Sequence, residues 1–407
     1  MKIITNNIPQ GYKNSPLGII PEEWKVKKLG DVSECFSGGT PKASNNEYYD
    51  GNIPFIRSGE IHQKNTALFL SELGLTESSA KIVEKGDLLI ALYGANSGDS
   101  AISQINGAIN QAILCIRPHN LLTSFLCPFL ELNKNMYIAK YLQGGQGNLS
   151  GDIIKNYIIP IPPLPEQQKI AEVLSTWNKA IEKQSQLIEK FELRKKGLMQ
   201  QLLTGKKRLP MFNYEWKITA LGNCAGIIGG GTPNTANENY WNGNIAWFTP
   251  SEIGKSKYVY KSLKYITKEG LNNSSANLLP VGTILFTSRA TIGQKAILKT
   301  EAATNQGFQS LIISDVNSTE FFFYLLDILI TKIKKKASGS TFPEISAKSL
   351  GRIKILIPQL KEQKAIAKIL SFCDEEINLA TQRLESLKQQ KKGLMQVLLT
   401  GKKRIIQ

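Results

Sequence analysis

Two long stretches of the chain place apolar residues at alternating steps of four and three. In the first stretch eight of ten such positions are apolar, and in the second nine of ten can pack in an apolar seam. A period of 3.5 residues sustained this far predicts coiled-coil helices. The seam positions are Ile170, Leu174, Trp177, Ile181, Gln184, Ile188, Phe191, Lys195, Leu198 and Leu202, then Ile366, Leu370, Cys373, Ile377, Ala380, Leu384, Leu387, Lys391, Leu394 and Leu398.

The ends of both stretches carry helix signals. Pro165 suits the first turn of a helix, and Glu166 and Glu362 complement the positive end of the helix dipole. Gly205 and Gly401 stand where each helix should stop. These signals predict one long helix in each of the segments 161–208 and 357–407.

A glycine also lies inside each predicted helix. Gly197 and Gly393 recur at the same position of the two stretches. A glycine within a helix costs about 1 kcal/mol relative to alanine. We expect another helix to approach closely there, because that contact would explain the same costly residue twice.

The parts before each stretch, 1–160 and 209–356, have a different pattern. Short β-rich runs alternate with apolar helical stretches, and the intervening loops are rich in Gly, Ser, Asn and Thr. This pattern predicts α/β domains with mixed, partly curled sheets. The clearest strand patterns lie at 86–94 and 282–290, and the clearest helical patterns lie near 121–142 and 318–336.

The chain is two copies of one unit. Residues 195–208 recur at 391–404 with thirteen of fourteen identical, at a spacing of 196. The motif GGTP at 38–41 recurs as GGTP at 230–233, and the Asn-Gln pair at 110 recurs at 305. Fixed-period self-similarity of this kind indicates a repeated architecture. Each unit has a variable globular part followed by a nearly constant helical segment.

The connectivity favours antiparallel pairing of the two helices. The first helix leaves the first globular part and ends at the second. The second helix leaves the second globular part and ends at the chain terminus. An antiparallel pair would return the second helix to the first globular part, giving a pseudo-two-fold, nearly circular arrangement with one globular domain at each end.

Charge points to an anionic partner. Lys and Arg number 50 against 33 Asp and Glu, a net charge of +17. The first globular part, residues 1–165, carries fourteen of each sign, whereas residues 209–360 carry sixteen basic and nine acidic groups. Residues 166–208 and 361–404 each carry ten basic and five acidic groups. DNA or RNA is the leading candidate partner, although general basicity remains an alternative.

No catalytic constellation or metal site is recognisable. The two histidines, His62 and His119, have no counterparts in the other copy, and the sequence contains no phosphate-binding loop motif. No apolar run reaches the roughly 20 residues of a membrane span, and no apolar stretch follows Met1. We expect a non-catalytic, cytoplasmic protein without metal. The cysteines show no paired spacing and are expected to be buried: Cys35, Cys115, Cys127, Cys224 and Cys373.

Loops of the globular parts are the candidate DNA contacts. The GGTP loops could offer backbone amides to phosphates, or they could recur only as structural turns. Arg and Asn can read base edges, and residues that differ between aligned loops suit two different base sequences. The identical Asn-Gln pairs are expected to brace the fold. The candidates are Gly39, Thr40, Lys42, Arg57, Tyr93, Asn96 and Ser97, with Gly231, Thr232, Asn234, Thr249, Ser251, Arg289 and Thr291.

Together these motifs resemble the DNA specificity subunit of type I restriction-modification systems. The resemblance covers nearly the whole chain. It implies two target recognition domains, at 1–160 and 209–356, separated by conserved helices in an antiparallel coiled coil. It implies that each domain reads one half of a split, asymmetric DNA sequence. The motifs are Trp24, SGGTP, Asn110-Gln111, PLPEQQKIA and KKGLMQQLLTGKKR, each with a counterpart in the second copy.

The resemblance also implies partners. The constant helices would dock two adenine methyltransferase subunits, which carry S-adenosylmethionine, and through them two ATP-driven restriction subunits that use Mg. No cofactor is expected on this chain. Reversing the charge of Lys195 and Lys391 is expected to weaken assembly or backbone contact without changing the sequence read. Four leucines are expected to form an apolar patch that the methyltransferase subunits cover: Leu198, Leu202, Leu394 and Leu398.

Two other functions remain open from sequence. One is the recognition subunit of a stand-alone methyltransferase or of a nuclease-methyltransferase fusion, which neighbouring genes would distinguish. The other is a free bivalent DNA-binding regulator or coiled-coil scaffold that needs no enzyme. Such a regulator would bind its site tightly as a lone, well-behaved protein.

Overall fold

The protein forms two compact units. Unit 1 consists of Met1–Ser185 and Arg383–Gln407, and unit 2 of Gln186–Gln382. Each unit therefore contains one globular part and one end of each long helical segment. The four-segment boundaries drawn from the sequence remain a prediction. The structure is a computed structural model, and it describes residues 8–141, 149–289, 291–338 and 343–405.

The described residues of unit 1 form four small sheets. The strands are β1 (Tyr12–Ser15), β2 (Gly18–Pro21), β3 (Lys25–Lys28), β4 (Ser33–Ser37), β5 (Ile53–Ile56), β6 (Leu68–Leu70), β7 (Lys81–Val83), β8 (Leu88–Ala91), β9 (Ser100–Ile102), β10 (Gly107–Ile109), β11 (Ile113–Pro118) and β12 (Ile158–Ile161). Their orders are β1-β2, β6-β5-β10-β7, β4-β11-β8-β9 and β12-β3. Only β5 and β10 pair in parallel among these described strands. The helices are α1 (Glu72–Thr76), α2 (Thr123–Tyr141) and α3 (Gly151–Lys155).

The chain then forms the long helix α4 (Leu164–Leu202) and passes into unit 2. The strands there are β13 (Lys217–Ala220), β14 (Ala225–Gly229), β15 (Trp241–Phe248), β16 (Tyr258–Val259), β17 (Lys264–Ile266), β18 (Ile284–Phe286), β19 (Lys295–Leu298), β20 (Ala302–Thr304), β21 (Gln309–Ile313) and β22 (Lys354–Ile357). Their orders are β13-β22, β14-β21-β18-β19-β16 and β17-β15-β20. The helices are α5 (Lys268–Asn272), α6 (Thr319–Lys335), α7 (Ala347–Gly351) and the long α8 (Leu360–Leu398).

These elements confirm the predicted α/β class. The β-rich runs at 86–94 and 282–290 form β8 and β18, and the two apolar stretches form α2 and α6. Both units mix parallel and antiparallel pairs. Within the described residues, no helix combines the length and apolar character needed to cross a bilayer.

The long helices confirm the 3.5-residue pattern. Each is 39 residues long, and none of the twenty seam positions is exposed. Gly205 and Gly401 follow the helix ends with φ of +72° and +71°. This left-handed conformation costs glycine little, so it stops each helix where the sequence predicts.

The helices run in opposite directions within each unit. In unit 1, Ile170 and Leu174 from the start of α4 share a buried core with Met395 and Leu398 from the end of α8. In unit 2 the core instead joins the end of α4 to the start of α8. The predicted antiparallel pairing is confirmed, because each unit needs the beginning of one helix and the end of the other.

The close approach expected at the glycines inside the helices is not made by the described part of this chain. Beyond the local turns, no described atom lies within 4 Å of a Cβ placed on Gly197 or Gly393. No described helix of this chain approaches closely at either position, so contact with a helix outside the chain stays a prediction. No contact within the described residues therefore compensates for the low helix propensity of these two glycines.

The expected apolar patch is also wrong in part. Leu202 and Leu398 are only 3% exposed and belong to the cores of units 2 and 1. Leu198 and Leu394 are half-buried and pack against the same cores. These leucines recur because both units need the same core, not because they form an exposed surface.

Candidate nucleic-acid interface and partner surface

Loops of unit 1 converge at one place. The Thr40 hydroxyl donates a hydrogen bond to Gln111 Oε1 at 2.5 Å, which joins the GGTP loop to the Asn-Gln turn. The side-chain nitrogen Nδ2 of Asn96 lies 3.7 Å from the position that a Cβ on Gly59 would take. We call these loops loop cluster 1, made of residues 38–42, 57–60, 93–97 and 110–112.

Loops of unit 2 converge in the same way. The Thr232 hydroxyl donates to Gln306 Oε1 at 2.5 Å, and the Ser288 amide donates to the Gly307 carbonyl at 2.8 Å. The Cγ of Pro250 lies 2.8 Å from the position of a Cβ on Gly307. We call these loops loop cluster 2, made of residues 230–234, 249–252, 287–289, 291–294 and 305–307.

The recurring motifs brace these loops. A Cβ on Gly38 would lie 1.8 Å from the carbonyl oxygen of Ile109, and one on Gly230 would lie 2.1 Å from that of Asn305. Only glycine permits such an approach of two backbones. The Asn-Gln pairs complete the brace, because their glutamines accept from the GGTP threonines. The expected bracing role of the Asn-Gln pairs is confirmed.

Glu60 is a loop-organising residue that the sequence analysis missed. Its buried carboxylate accepts from the Arg57 amide at 3.1 Å, the Arg57 Nε at 3.0 Å and the Ala67 amide at 3.0 Å. The hydrogen bond from Arg57 lowers the pKa of the Glu60 carboxyl below its usual value. The carboxylate therefore fixes both ends of the loop 57–67.

Glu252 does the same in unit 2. It accepts from the Thr249 amide at 2.7 Å and the Leu263 amide at 2.6 Å. The Thr249 hydroxyl also donates to it at 2.7 Å. The sequence signal was a repeated Glu-Ile pair, at 60–61 and 252–253, with the same spacing as the GGTP motifs.

All predicted DNA-contact residues lie in the two loop clusters, but not all are accessible. Ser97 is 6% exposed and its hydroxyl donates to the Leu92 carbonyl at 3.0 Å, which does not fit the predicted base contact. Gly39 and Gly231 are buried in the braced turns. Asn96, Thr232, Thr249 and Arg289 are half-buried. The exposed members are Thr40, Lys42, Arg57, Tyr93, Asn234, Ser251 and Thr291.

A buried carboxylate ties the start of α4 to unit 1. The indole Nε1 of Trp24 donates to Glu166 at 2.9 Å. Arg404, which follows α8, donates to Glu166 at 2.9 Å and to Glu23 at 2.7 Å. The hydrogen bonds that Arg404 donates to Glu166 and Glu23 raise the pKa of its guanidinium. Glu166 is only 6% exposed, so these hydrogen bonds offset the cost of burying its carboxylate.

Unit 2 repeats this triad. Trp216 Nε1 donates to Glu362 at 3.2 Å, and the Arg208 guanidinium donates to the same carboxylate at 2.8 and 2.9 Å. Glu362 is 2% exposed. The two glutamates, expected to act on the helix dipole, thus also hold each helix start to its globular part and to the end of the other helix.

Comparison with known families decides what kind of protein this is. The model of the type I restriction modification DNA specificity domain matches residues 21–192 and, a second time, residues 213–389. The chain belongs to this DNA specificity family. The resemblance deduced from the repeated motifs is confirmed, and both halves of the chain match the same family model.

Individual DNA specificity proteins show the same relationship. The type I restriction enzyme MjaVIII specificity subunit of Methanocaldococcus jannaschii is 26% identical over 95% of this chain and 94% of its own. A similar fold is found in a chain from a study of complex assembly and conformational transition of the type I restriction-modification system. The TM-score is 0.64 and the identity 18%, and the match covers 94% of this chain and 99% of that chain. The specificity subunit of M. genitalium matches with a TM-score of 0.58, 17% identity and 98% coverage of each chain.

The repeated block of this specificity-family chain also presents an exposed face. Its identical core positions are explained by the two equivalent cores. The positions Lys196 and Gln200 of α4 are exposed, as are their identical counterparts Lys392 and Gln396 of α8. The fold does not require identity at these four positions. We call them, together with Gly197 and Gly393, the repeated helix face.

The lysines proposed for partner or backbone contact have partners within the chain. Lys195 forms an ion pair with Asp374 at 2.5 Å in unit 2, and Lys391 lies 3.6 Å from Glu131 in unit 1. Both lysines are largely buried, with side chains 24% and 14% exposed. They are therefore placed to stabilise the units themselves.

Proposed function

We propose that this chain is the sequence-specificity subunit of a type I restriction-modification complex, in which each unit reads one half of a bipartite, asymmetric DNA site. The observation that carries this proposal is the double match to a DNA specificity domain. The loop clusters support it, since equivalent loops are braced identically and expose different residues. A shared frame with different exposed groups suits two different half-sites.

The helices would dock two identical adenine methyltransferase subunits. The repeated helix face supports this idea, because identity at exposed positions suits the same partner on each unit. The chemistry would belong to these partners and to two restriction subunits, with S-adenosylmethionine, ATP and Mg bound there. This chain would supply recognition without catalysis, and its place would be the cytoplasm, where the DNA is.

Co-expression with a neighbouring methyltransferase gene tests this function. Long-read sequencing of host DNA would locate N6-methyladenine. The proposal predicts a split motif with two specified halves around a fixed unspecified gap. An intact complex that adds no methylation would contradict it and would favour a regulator or scaffold.

A further inference from the structure

One segment of unit 2 is longer than its counterpart in unit 1. Seven residues, 61–67, separate Glu60 from β6, whereas eleven, 253–263, separate Glu252 from β17. The longer segment contains β16, which pairs in parallel with β19. The shorter segment, all of it described, contains no strand. We call residues 253–264, which are this segment and the first residue of β17, the basic segment.

The basic segment is fixed to the rest of unit 2 through Lys257. The Lys257 ammonium donates to the Tyr324 hydroxyl and to the Ser371 hydroxyl, each at 2.8 Å. Burial lowers the pKa of this lysine. Tyr324 belongs to α6 and Ser371 to α8, so the segment is held against two helices. Its conformation is ordered before any ligand binds.

The basic segment is also tied to loop cluster 2. Glu252 accepts from the Thr249 amide in loop cluster 2 and from the Leu263 amide near the end of the segment. One carboxylate therefore sets the position of both. A ligand lying on loop cluster 2 would pass beside the basic segment.

The basic segment exposes positive and aromatic side chains. Lys255, Lys261 and Lys264 are exposed, and Tyr260 is 59% exposed. The segment contains no acidic residue. The corresponding residues 61–67 contain a single lysine and no Phe, Trp or Tyr. The whole globular part of unit 2 is basic, whereas that of unit 1 has equal numbers of acidic and basic groups.

We infer that the basic segment is a contact site for the phosphate backbone of duplex DNA, present on unit 2 and not on unit 1. This inference rests on the proposed DNA-reading function. Lysines that neutralise phosphates release counterions and give affinity that is independent of base sequence. Unit 2 then gains affinity for the backbone of its half-site that the corresponding segment of unit 1 does not supply.

The test uses the complex with methyltransferase subunits and a fluorescent duplex of random sequence. The variant Lys255→Gln, Lys261→Gln, Lys264→Gln removes three exposed charges from the segment. Each phosphate contact adds about 0.9 to the slope of log affinity against log salt concentration, so the slope should decrease in magnitude by about 2.7. The methylated sequence should stay the same. Fluorescence anisotropy over a salt series gives the slope.

A matched control removes three exposed lysines from unit 1, with Lys25→Gln, Lys27→Gln and Lys28→Gln in β3. Its slope should stay close to that of the unmodified complex. An unchanged slope in the segment variant, or an equal decrease in the control, would overturn the inference. A complex that neither binds DNA nor methylates it would instead refute the proposed function. Normal specific methylation with an unchanged slope would refute only the backbone site.

Discussion

The indole nitrogen of Trp24 lies 2.9 Å from the carboxylate of Glu166, a residue 142 positions away in the sequence. Arg404 bonds the same carboxylate from a further 238 positions along the chain. Trp216, Glu362 and Arg208 repeat the arrangement in unit 2. Each triad joins a globular part, the start of one long helix and the segment that follows the other long helix. Equivalent contacts therefore hold these three parts together in each unit.

Replacing the carboxylate of a triad should destabilise its unit. In Glu362→Gln the Arg208 guanidinium loses its charged partner, and a hydrogen bond to a charged group contributes about 1.5–3 kcal/mol. The free energy of unfolding should fall by about that amount, as measured by urea denaturation with tryptophan fluorescence. Glu189→Gln, at an exposed position of α4, is the control and should change little. Equal stability of both variants would show that the triad does not hold the unit together.

Acid should loosen loop cluster 1 through Glu60. Its folded-state pKa lies below the ordinary value of 4.5 because Arg57 donates to it. Its contribution to stability is therefore complete above that ordinary value and is lost as the pH falls through the folded-state pKa. The stability difference between the protein and Glu60→Gln should be about 1–2 kcal/mol at neutral pH. It should shrink as the pH falls below 4.5 and through the folded-state pKa. Urea denaturation at several pH values measures it, and a difference independent of pH would contradict this role.

The glycines inside the helices should be replaceable in the isolated chain. Alanine at Gly197 or Gly393 meets no described atom within 4 Å and gains helix propensity. Each substitution should stabilise the chain by about 1 kcal/mol, observable as a higher midpoint of urea denaturation. Loss of stability would reveal a contact that the structure does not contain. Weaker binding of methyltransferase subunits by the stabilised variants would place the partner against the repeated helix face.

Reversing the charge at position 195 should act on stability before it acts on assembly. Lys195→Glu would place two carboxylates together, because Asp374 lies 2.5 Å from the lysine nitrogen. Unit 2 should lose about 1–3 kcal/mol of stability in this partly buried pair. The double variant with Asp374→Lys should recover part of that loss. A double variant as unstable as the sum of its single substitutions would show that the pair does not interact.

Local periodicity was sufficient to predict the long helices. Apolar spacing, together with Gly205 and Gly401, gave the helix positions, because a helix is determined by residues three and four apart. The repeat gave the antiparallel pairing, because each globular part needed the end of the other helix. The bracing role of the Asn-Gln pairs also followed from their identity in both copies.

Contacts between distant residues could not be predicted in the same way. Glu166 fitted a helix dipole equally well, and nothing local indicated that Trp24 and Arg404 would reach it. Ser97 looked like a polar loop residue, but the backbone turn points its hydroxyl at the Leu92 carbonyl. Gly197 has an identical counterpart in Gly393, but the open space around both glycines depends on how the helices pack. Burial and partners of single side chains depend on tertiary structure, which one sequence does not specify directly.

Each unit should read one half of a split site, and long-read detection of N6-methyladenine can follow the two halves separately. Host cells would carry the methyltransferase with either Tyr93→Ala, in loop cluster 1, or Ser251→Ala, in loop cluster 2. Losing one base contact costs about 1–3 kcal/mol of discrimination. We expect relaxed specificity in one half of the motif for the first variant and in the other half for the second. A change in both halves from either variant, or an unbroken motif, would contradict it.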